Sequence, residues 1–238
     1  MKLIFDFVMA FFGLIIISPV FAVVSLINKL SGNDVFFIQQ RVGKDSKLFP
    51  LIKFATMNKD AHIVGGTITC KNDYRVTRLG AWLRKSKINE LPQLINVLRG
   101  DMSFVGPRPL PPSEVSIYLP EVAKKIYSIK PGITGLASLY FHNEEMLLSR
   151  DKESAEDTFK NMIMPKKAAF ELWYVDNRKF FMDLKIIIAT LLVVCIPRYN
   201  VLSFISKRLG GLEVRQNAEK VLEMQNELNN KDANVLVK

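Results

Sequence analysis

The chain has 238 residues, of which 49% are hydrophobic and 24% are charged, and its formal net charge at pH 7 is +10. This length suits one domain with accessory segments, and the hydrophobic fraction is too high for a disordered chain. Two cysteines and two histidines are too few for a disulfide framework or a zinc site, and they are typical of a protein from a reducing compartment.

The positive charge is concentrated in the middle of the chain. Residues 39–130 contain 16 basic and 7 acidic side chains, and the rest of the sequence is nearly neutral. A basic region of this kind indicates an anionic partner, which can be a phosphorylated substrate, an acidic lipid headgroup or nucleic acid. A solvated basic surface is the simpler explanation, but the apolar segment directly upstream favours a membrane-associated partner and argues against nucleic acid.

An apolar segment at the N-terminus predicts a membrane anchor. Residues 3–28 contain one charged side chain, Asp6, and the run is long enough to cross a bilayer as a helix. It lacks the cleavage site of a signal peptide. Ser18 and Pro19 lie in its middle, where proline removes a backbone donor and kinks a helix, while the serine hydroxyl can bind a carbonyl group that the proline leaves free.

The charges that flank this segment favour a re-entrant hairpin over a straight span. Basic residues prefer the cytoplasmic side of a membrane, and here Lys2 precedes the segment while Lys29, Arg41 and Lys44 follow it. We therefore expect a helix that enters the bilayer, bends at Ser18-Pro19 and returns to the same side.

A second apolar run occupies residues 186–196. As a helix it would be about 16 Å long, too short for a hydrocarbon core of about 30 Å. A buried core helix and a helix that lies in the membrane interface are both compatible with this pattern.

Between these runs the sequence predicts short strands and helices separated by glycine- and proline-rich loops. The predicted strands are residues 35–38 and 48–54, joined by a turn at 43–46. The predicted helices are residues 75–87, 91–98 and 114–128, and the predicted loops are 58–73, 106–112 and 130–135. A charged helical tail is predicted from residue 202 onward, either as a partner-binding helix or as a frayed end.

An anchored basic domain needs a phosphate site near the membrane, and arginine suits it because the guanidinium group pairs bidentately with phosphate oxygens. The candidates are Arg78, Arg84 and Arg108. Arg108 is favoured because prolines on both sides restrict its backbone, so that it loses less entropy on binding. Glu90, at a predicted helix start, is the acidic counterpart, although such a glutamate most often interacts only with the helix dipole.

The central part of the sequence resembles the bacterial sugar transferase family. The resemblance rests on RLGAWLR at residues 78–84 and INELPQLINVLRGDMSFVGPRP at residues 88–109. It extends to QRVG at 40–43, KF at 53–54 with TM at 56–57, KPGITGL at 130–136, YVDN at 174–177 and DLKI at 183–186, and it covers roughly residues 1–197. These proteins are monotopic phosphoglycosyl transferases that start glycoconjugate assembly on a polyprenol phosphate.

The resemblance implies a membrane-embedded, monotopic α/β fold on the cytoplasmic face of the bacterial inner membrane. Its expected parts are a re-entrant helix hairpin broken at Ser18-Pro19, a small sheet and interfacial amphipathic helices. We divide the chain into an anchor (residues 1–30), a catalytic domain with interfacial helices (31–200) and a charged helical tail (201–238). Anionic membrane lipids are expected partners, and a homo-oligomer is compatible with the sequence.

The resemblance also implies a two-step phosphoryl transfer with Mg²⁺ as cofactor. A carboxylate attacks the β-phosphate of a UDP-sugar and expels UMP, and the phosphosugar is then transferred to undecaprenyl phosphate, which initiates assembly of a surface polysaccharide or another glycoconjugate. A carboxylate nucleophile divides one exchange into two steps, while metal and arginines neutralise charge.

The site residues that follow from the resemblance and from charge fall into two groups. The expected catalytic pair is Asn89 and Glu90, and Glu90 is also the expected metal ligand. The expected substrate- and phosphate-binding residues are Lys53, Arg78, Arg84, Arg108, His142 and Asp183.

The sequence departs from the family pattern at three places. The family's catalytic pair is Asp-Glu, and Asn89 stands in place of the aspartate; a carboxamide cannot form an acyl phosphate. Ala55 replaces a basic residue, and LYFHN at residues 139–143, followed by an acidic insertion through Asp157, replaces an Asn-Gly-Arg stretch, with His142 near the family's arginine.

These departures leave three readings of the site: Glu90 takes over as nucleophile or metal ligand, the protein is a diverged or catalytically silent membrane scaffold of the same fold, or the asparagine is an introduced substitution that traps the enzyme. Several departures together favour natural divergence.

Overall fold

A computed structural model describes residues 1–59, 73–142 and 156–196 of the chain. Most of the predicted 58–73 loop, most of the acidic insertion and the predicted tail lie outside these residues. In the described part, helices are combined with two small sheets of two strands each. The helices are α1 (Lys2–Leu30), α2 (Arg78–Lys85), α3 (Gln93–Arg99), α4 (Pro112–Val115), α5 (Pro120–Ile126), α6 (Leu136–Tyr140), α7 (Met164–Asn177) and α8 (Phe180–Cys195), and the strands are β1 (Phe36–Val42), β2 (Leu48–Phe54), β3 (Ser103–Val105) and β4 (Gly132–Thr134).

The N-terminal apolar segment forms one helix, α1, which is long and apolar enough to cross a membrane. Pro19 lies inside it, and the structure does not confirm a hairpin. Proline cannot donate to the carbonyl four residues before it, and the Ser18 hydroxyl donates a hydrogen bond of 2.8 Å to that group, the Ile15 carbonyl. The predicted role of the serine is therefore confirmed.

One face of α1 packs on the rest of the protein along its length. Asp6, Ala10, Val24 and Asn28 are buried on this face, at the spacing that one side of a helix requires. Ala10 belongs to an apolar cluster with β2 and α3, whereas Val24 packs with Phe54 of β2 and Leu83 of α2. The opposite face exposes large apolar side chains, which include Phe7, Phe12, Ile16, Val23 and Leu30.

Polar contacts attach the N-terminal end of α1 to β3. The Asp6 carboxylate accepts a hydrogen bond of 2.7 Å from the Ser103 hydroxyl. The Lys2 ammonium donates to the Val105 carbonyl at 3.1 Å and pairs with the carboxylate of Asp183 on α8. Because burying a charge is costly unless it is paired and hydrogen-bonded, these contacts specify how the helix docks.

The C-terminal end of α1 is attached to the same body by Asn28, whose side-chain amide donates to the Ala55 carbonyl at 3.2 Å, just after β2. Both ends of the apolar helix therefore contact the part of the protein that contains β2 and β3.

The two predicted strands are present, although β1 extends to Val42, and they pair as an antiparallel hairpin with Phe37 opposite Lys53 and Arg41 opposite Phe49. The turn between them places Asp45 and Ser46 in the left-handed region, at φ values of 55° and 60°. Aspartate tolerates this region better than most residues, which suits the polar turn that the sequence indicated.

Two predictions for the segment after α3 are wrong. The predicted loop at 130–135 contains β4, which pairs in parallel with β3. The backbones approach so closely that a Cβ atom on Gly132 would lie 2.1 Å from the Gly106 nitrogen, and only glycine allows this pairing. The predicted helix at 114–128 is two short helices, α4 and α5, because Pro120 lacks an N–H for a continuing helix and begins α5 instead.

The main core lies between α5, α6, α7 and α8, where Tyr127, Leu136, Met164 and Ile186 are among the fully buried side chains. A single π-helical turn (Phe159–Ile163) leads into α7. Helix α8 packs one face on this core and exposes apolar side chains on another. The second apolar run is thus partly a core helix and partly an exposed apolar surface.

Candidate active site

A cleft of about 1420 Å³ lies between the β1–β2 hairpin, the connection from α2 to α3, the loop after β3, and helices α6 to α8. Most of the predicted site residues line it. They are Lys53, Arg78, Arg84, Asn89, Glu90, Arg108 and His142.

The hairpin contributes two cations to the cleft. Lys53 is paired with Phe37, and Arg41 lies four residues after Phe37 on β1, so both basic side chains project from the same face of the hairpin. Strand β2 is held against α3 by the buried side chain of Asn96, which accepts a hydrogen bond of 3.1 Å from the Ile52 N–H. The same amide donates to a second backbone group of β2 at 2.8 Å, which fixes the strand beside Lys53.

Glu90 ends a short 3₁₀ turn (Ile88–Glu90) that connects α2 to α3. Its Oε1 atom accepts a hydrogen bond of 2.9 Å from the Lys53 ammonium and lies 3.5 Å from the Arg108 guanidinium. The carboxylate therefore joins the hairpin to the loop after β3. We call Arg41, Lys53 and Arg108 the cationic cluster.

The backbone of Arg108 is fixed on both sides. Its N–H donates to the Glu171 carboxyl at 3.1 Å, and its carbonyl accepts a hydrogen bond of 3.1 Å from the Tyr127 hydroxyl. Pro107 and Pro109 flank it and restrict rotation of the chain. The sequence prediction of a preorganised arginine is consistent with this geometry.

The cationic cluster carries more positive charge than Glu90 can balance. Burial would by itself raise the pKa of Glu90, but Lys53 and Arg108 hold that pKa well below its usual value, so the carboxylate is ionised. Burial and the neighbouring cations lower the pKa of Lys53 to about 8, although Glu90 opposes this shift. Burial and then Arg108 lower the pKa of Arg41 to about 10.

Three residues that line the cleft carry a buried polar atom without a hydrogen-bond partner among the described residues. These atoms are Arg41 Nε, Asn89 Oδ1 and Glu171 Oε2. Buried polar groups are normally hydrogen-bonded, and an unpaired guanidinium donor next to excess positive charge is best satisfied by an anion with several oxygen atoms. The geometry and the charge therefore favour a polyanion such as a diphosphate.

The other predicted basic residues occupy the rim of the cleft. Arg84 Nε donates to the Thr56 hydroxyl at 2.9 Å, which ties α2 to the end of β2. This contact depends on Gly80, where a Cβ atom would lie 2.0 Å from the Thr56 carbonyl oxygen. Arg78 is exposed, and His142 is half-buried with Nδ1 3.0 Å from the Leu139 carbonyl oxygen.

The structure does not bring Asp183 to the cleft. This buried carboxylate accepts a hydrogen bond of 2.6 Å from the Tyr174 hydroxyl and pairs with Lys2. Its contacts join α7, α8 and α1, so it stabilises the packing of α1 and does not line the cleft. Ser18 and Pro19, in the middle of α1, also lie outside the residues that line the cleft.

Sequence reasoning missed two residues of the site. Arg41 was considered only as a membrane-flanking charge, although it lies in the QRVG motif at 40–43. Glu171 is 3% exposed and lines the cleft, and burial raises its pKa to about 8 despite its contact with the Arg108 N–H. A single glutamate within the apolar sequence AAFELWYV of α7 was the available signal.

The described residues bring no three His, Cys, Asp or Glu side chains together as a metal site. Mg²⁺, however, is usually bound by one or two protein oxygens together with substrate phosphates and water. The ionised Glu90 carboxylate and the unpartnered Asn89 Oδ1 atom are adjacent in sequence and line the same cleft. These two residues fit a metal ion that arrives with a diphosphate.

The lowered pKa of Lys53 predicts a pH-dependent affinity for anions. Sulfate keeps its charge between pH 7 and pH 9, so a loss of binding over this range reflects a change in the charge of the protein. We expect sulfate affinity to fall as pH rises through about 8, the pKa of Lys53, because the ammonium loses its proton. Titration of sulfate across this range measures the effect.

Lys53→Arg is the matched control, because a guanidinium stays charged to much higher pH. Glu171 also ionises in this range, but it does so in both proteins. The decrease in affinity should therefore be steeper in the wild-type protein than in Lys53→Arg, and identical pH profiles would contradict the assignment.

Comparison with known proteins gives consistent results. The family model described as bacterial sugar transferase matches residues 1–197. The chain is 37% identical over 191 residues to the uncharacterized sugar transferase EpsL of Bacillus subtilis (strain 168), which covers 80% of this chain and 85% of that protein. It is 34% identical over 210 residues to the exopolysaccharide production protein ExoY of Rhizobium meliloti (strain 1021), with 82% and 85% covered.

A third relative carries a name that states a reaction. The chain is 37% identical over 188 residues to the UDP-glucose:undecaprenyl-phosphate glucose-1-phosphate transferase of Escherichia coli (strain K12). That match covers 78% of this chain and 38% of the longer relative. On the family match and these identities, the chain belongs to the bacterial sugar transferase family.

Proposed function

We propose that this protein transfers a phosphosugar from a UDP-sugar to undecaprenyl phosphate, releases UMP and thereby starts assembly of a surface polysaccharide or another glycoconjugate. The observation that carries the proposal is the cationic cluster around one ionised carboxylate, Glu90, in a cleft beside an apolar helix of membrane length. The names of relatives support the choice of substrates, because they include UDP-glucose and undecaprenyl phosphate.

The donor diphosphate supplies the negative charge that the cluster lacks. Lys53 and Arg108 pair with Glu90 in the free protein. When the donor binds, both side chains also donate hydrogen bonds to its phosphates. The unpartnered Nε donor of Arg41 is satisfied in the same way. This competition weakens both ion pairs of Glu90 and frees its carboxylate oxygens beside the bound diphosphate.

The reaction then follows in two balanced displacements. A Glu90 carboxylate oxygen attacks the β-phosphorus of the donor, and the bond from that phosphorus to the bridging oxygen breaks, so that UMP leaves with the electron pair. A phosphate oxygen of undecaprenyl phosphate next attacks the same phosphorus and restores the carboxylate. Glu90 takes this role because Asn89, in place of the family's aspartate, has no carboxylate, while the low pKa of Glu90 keeps it ionised.

Mg²⁺ fits the site in a supporting role. Glu90 and Asn89 Oδ1 would hold it together with donor phosphates, and it would supply charge neutralisation of the diphosphate. The cationic cluster limits metal binding before the donor is present, since three cations already surround the carboxylate.

The attachment of α1 supports a monotopic arrangement on the cytoplasmic face of the inner membrane. Lys2 near its start and Asn28 near its end both contact the domain that holds the cleft. A helix that left its N-terminus on the opposite side of the membrane would lose the pair between Lys2 and Asp183. A re-entrant path, in which both ends of α1 stay with the cleft, keeps these contacts and places the cleft near a lipid acceptor.

A second candidate function is favoured by Asn89. A diverged member without a nucleophile would keep the fold, bind the donor nucleotide and serve as a membrane scaffold. It differs from the first candidate in one observable property, because it binds UDP-sugars without releasing UMP.

Release of UMP tests the proposed function. Purified protein with Mg²⁺, undecaprenyl phosphate and a panel of UDP-sugars should release UMP from at least one donor. Glu90→Gln should lower the rate by about ten-thousandfold or more, because loss of an essential nucleophile typically has an effect of at least this size. Glu121→Gln, which removes an exposed carboxylate on α5, is the control and should retain the wild-type rate. Folded wild-type protein that binds donors without UMP release would support the scaffold instead.

Asn89→Asp tests which residue carries the phosphosugar. The new carboxylate would lie next to the cationic cluster, whose excess charge can hold it ionised. We expect the substitution to raise the rate of UMP release by about tenfold or more, since it adds the nucleophile that the family resemblance implies. The assay is UMP release with intact-mass analysis of the protein after mixing with donor. An unchanged or lower rate, with a phosphosugar adduct on the wild-type chain, would assign the chemistry to Glu90 alone.

A further inference from the structure

The cleft that contains the cationic cluster also extends along helix α8. Ile187, Leu191 and Val194 line it there, at spacings of four and three residues that place them on one stripe of the helix. Phe141, which follows α6, lines the same part. We call these four residues the apolar groove.

Two hydroxyl groups beside the apolar groove are hydrogen-bonded within the protein. The Thr190 hydroxyl donates to the Ile186 carbonyl at 2.8 Å and shares a hydrogen bond of 2.7 Å with Thr134. These hydroxyls do not require a polar ligand, so this part of the cleft suits an apolar one.

The stripe that lines the groove begins at Ile187, which packs against the core, and continues to more exposed residues. Asp183, Ile186 and Ala189 are buried in the protein, whereas Leu191 is 58% exposed. Ile188 is 54% exposed and is not among the residues that line the cleft. The protein therefore keeps an apolar stripe open to the same space as Glu90 and Arg108.

We propose that the apolar groove binds the isoprenoid chain of the lipid acceptor while its phosphate headgroup lies at the cationic cluster. This inference rests on the proposed function and names the place of its second substrate. A cationic site continuous with an apolar groove is complementary to one class of ligand, an anion attached to a long hydrocarbon chain. A uridine or a sugar would leave Leu191 and Val194 in contact with water.

The position of α8 beside the anchor favours a lipid over a peptide or a second copy of the chain. The ring of Phe180, at the start of α8, lies 5.3 Å from the ring of Phe5 on α1. The N-terminal ends of α1 and α8 are thus neighbours. A hydrocarbon chain in the groove therefore lies on a helix that contacts the apolar helix α1.

Leu191→Trp and Ile188→Trp form a matched pair that tests the proposal. Both replaced side chains are apolar and similarly exposed on α8, so the two variants should interact with the membrane alike, but only Leu191 lines the groove. We expect Leu191→Trp to raise the KM for undecaprenyl phosphate by about tenfold, the loss of roughly one well-packed apolar contact. Ile188→Trp should keep the wild-type KM, and the KM for the UDP-sugar should not distinguish the variants.

A binding measurement separates this proposal from the proposed function. Photolabelling with a photoreactive farnesyl phosphate needs no turnover, and the label on the wild-type protein should map to α8. Leu191→Trp should reduce labelling about tenfold relative to Ile188→Trp, with both variants checked by thermal unfolding. If α8 is labelled in a protein that releases no UMP, the proposed reaction would be overturned and the groove assignment would stand. Labelling confined to α1, no labelling, or equal labelling of the two variants would overturn the groove assignment.

Discussion

The ion pairs of Glu90 with Lys53 and Arg108 connect three separate parts of the fold. They join the β1–β2 hairpin, the turn between α2 and α3, and the proline-flanked loop after β3. Charges are tolerated in such a partly buried place only when they are paired, yet the three cations of the cluster face two carboxylates, Glu90 and Glu114. The free protein therefore holds an incompletely balanced site, and an anionic ligand with several oxygen atoms completes it.

The arrangement also connects the cleft to the apolar helix α1. The same backbone segment that presents Arg108 is fixed by Glu171 and Tyr127 from the core, while β3, directly before it, receives the Lys2 and Asp6 contacts of α1. The apolar helix α1 and Arg108 are thus attached to the same strand, β3. A movement of the anchor relative to the cleft would break buried polar contacts, so the two are expected to stay in a fixed relation.

The sequence predicted the features that are determined by residues close together in the chain. Arg108 between prolines, Glu90 shortly before a helix, and the polar turn of the hairpin each depend on neighbouring residues, and each lies where the pattern indicated. The family motifs placed Lys53 in the same site, although nothing local shows that it meets a glutamate 37 positions later. The parallel pairing of β3 and β4 was missed because it depends on the close approach of two glycine backbones that are far apart in sequence.

A family motif does not distinguish residues that contact a substrate from residues that stabilise the fold. Asp183 and Tyr174 belong to matched motifs, and their side chains bind each other and the anchor away from the cleft. Arg41 is the opposite case. Its charge is evident from the sequence, but its burial beside Arg108 is not.

The claim on which the account depends is that the cationic cluster recognises a diphosphate. The most direct test compares the affinities of UDP and uridine for the wild-type protein and for Arg41→Ala by calorimetric titration. The account predicts that UDP binds the wild-type protein far more tightly than uridine does, and that Arg41→Ala removes most of this difference. Equal affinities of the wild-type protein for UDP and uridine would contradict it.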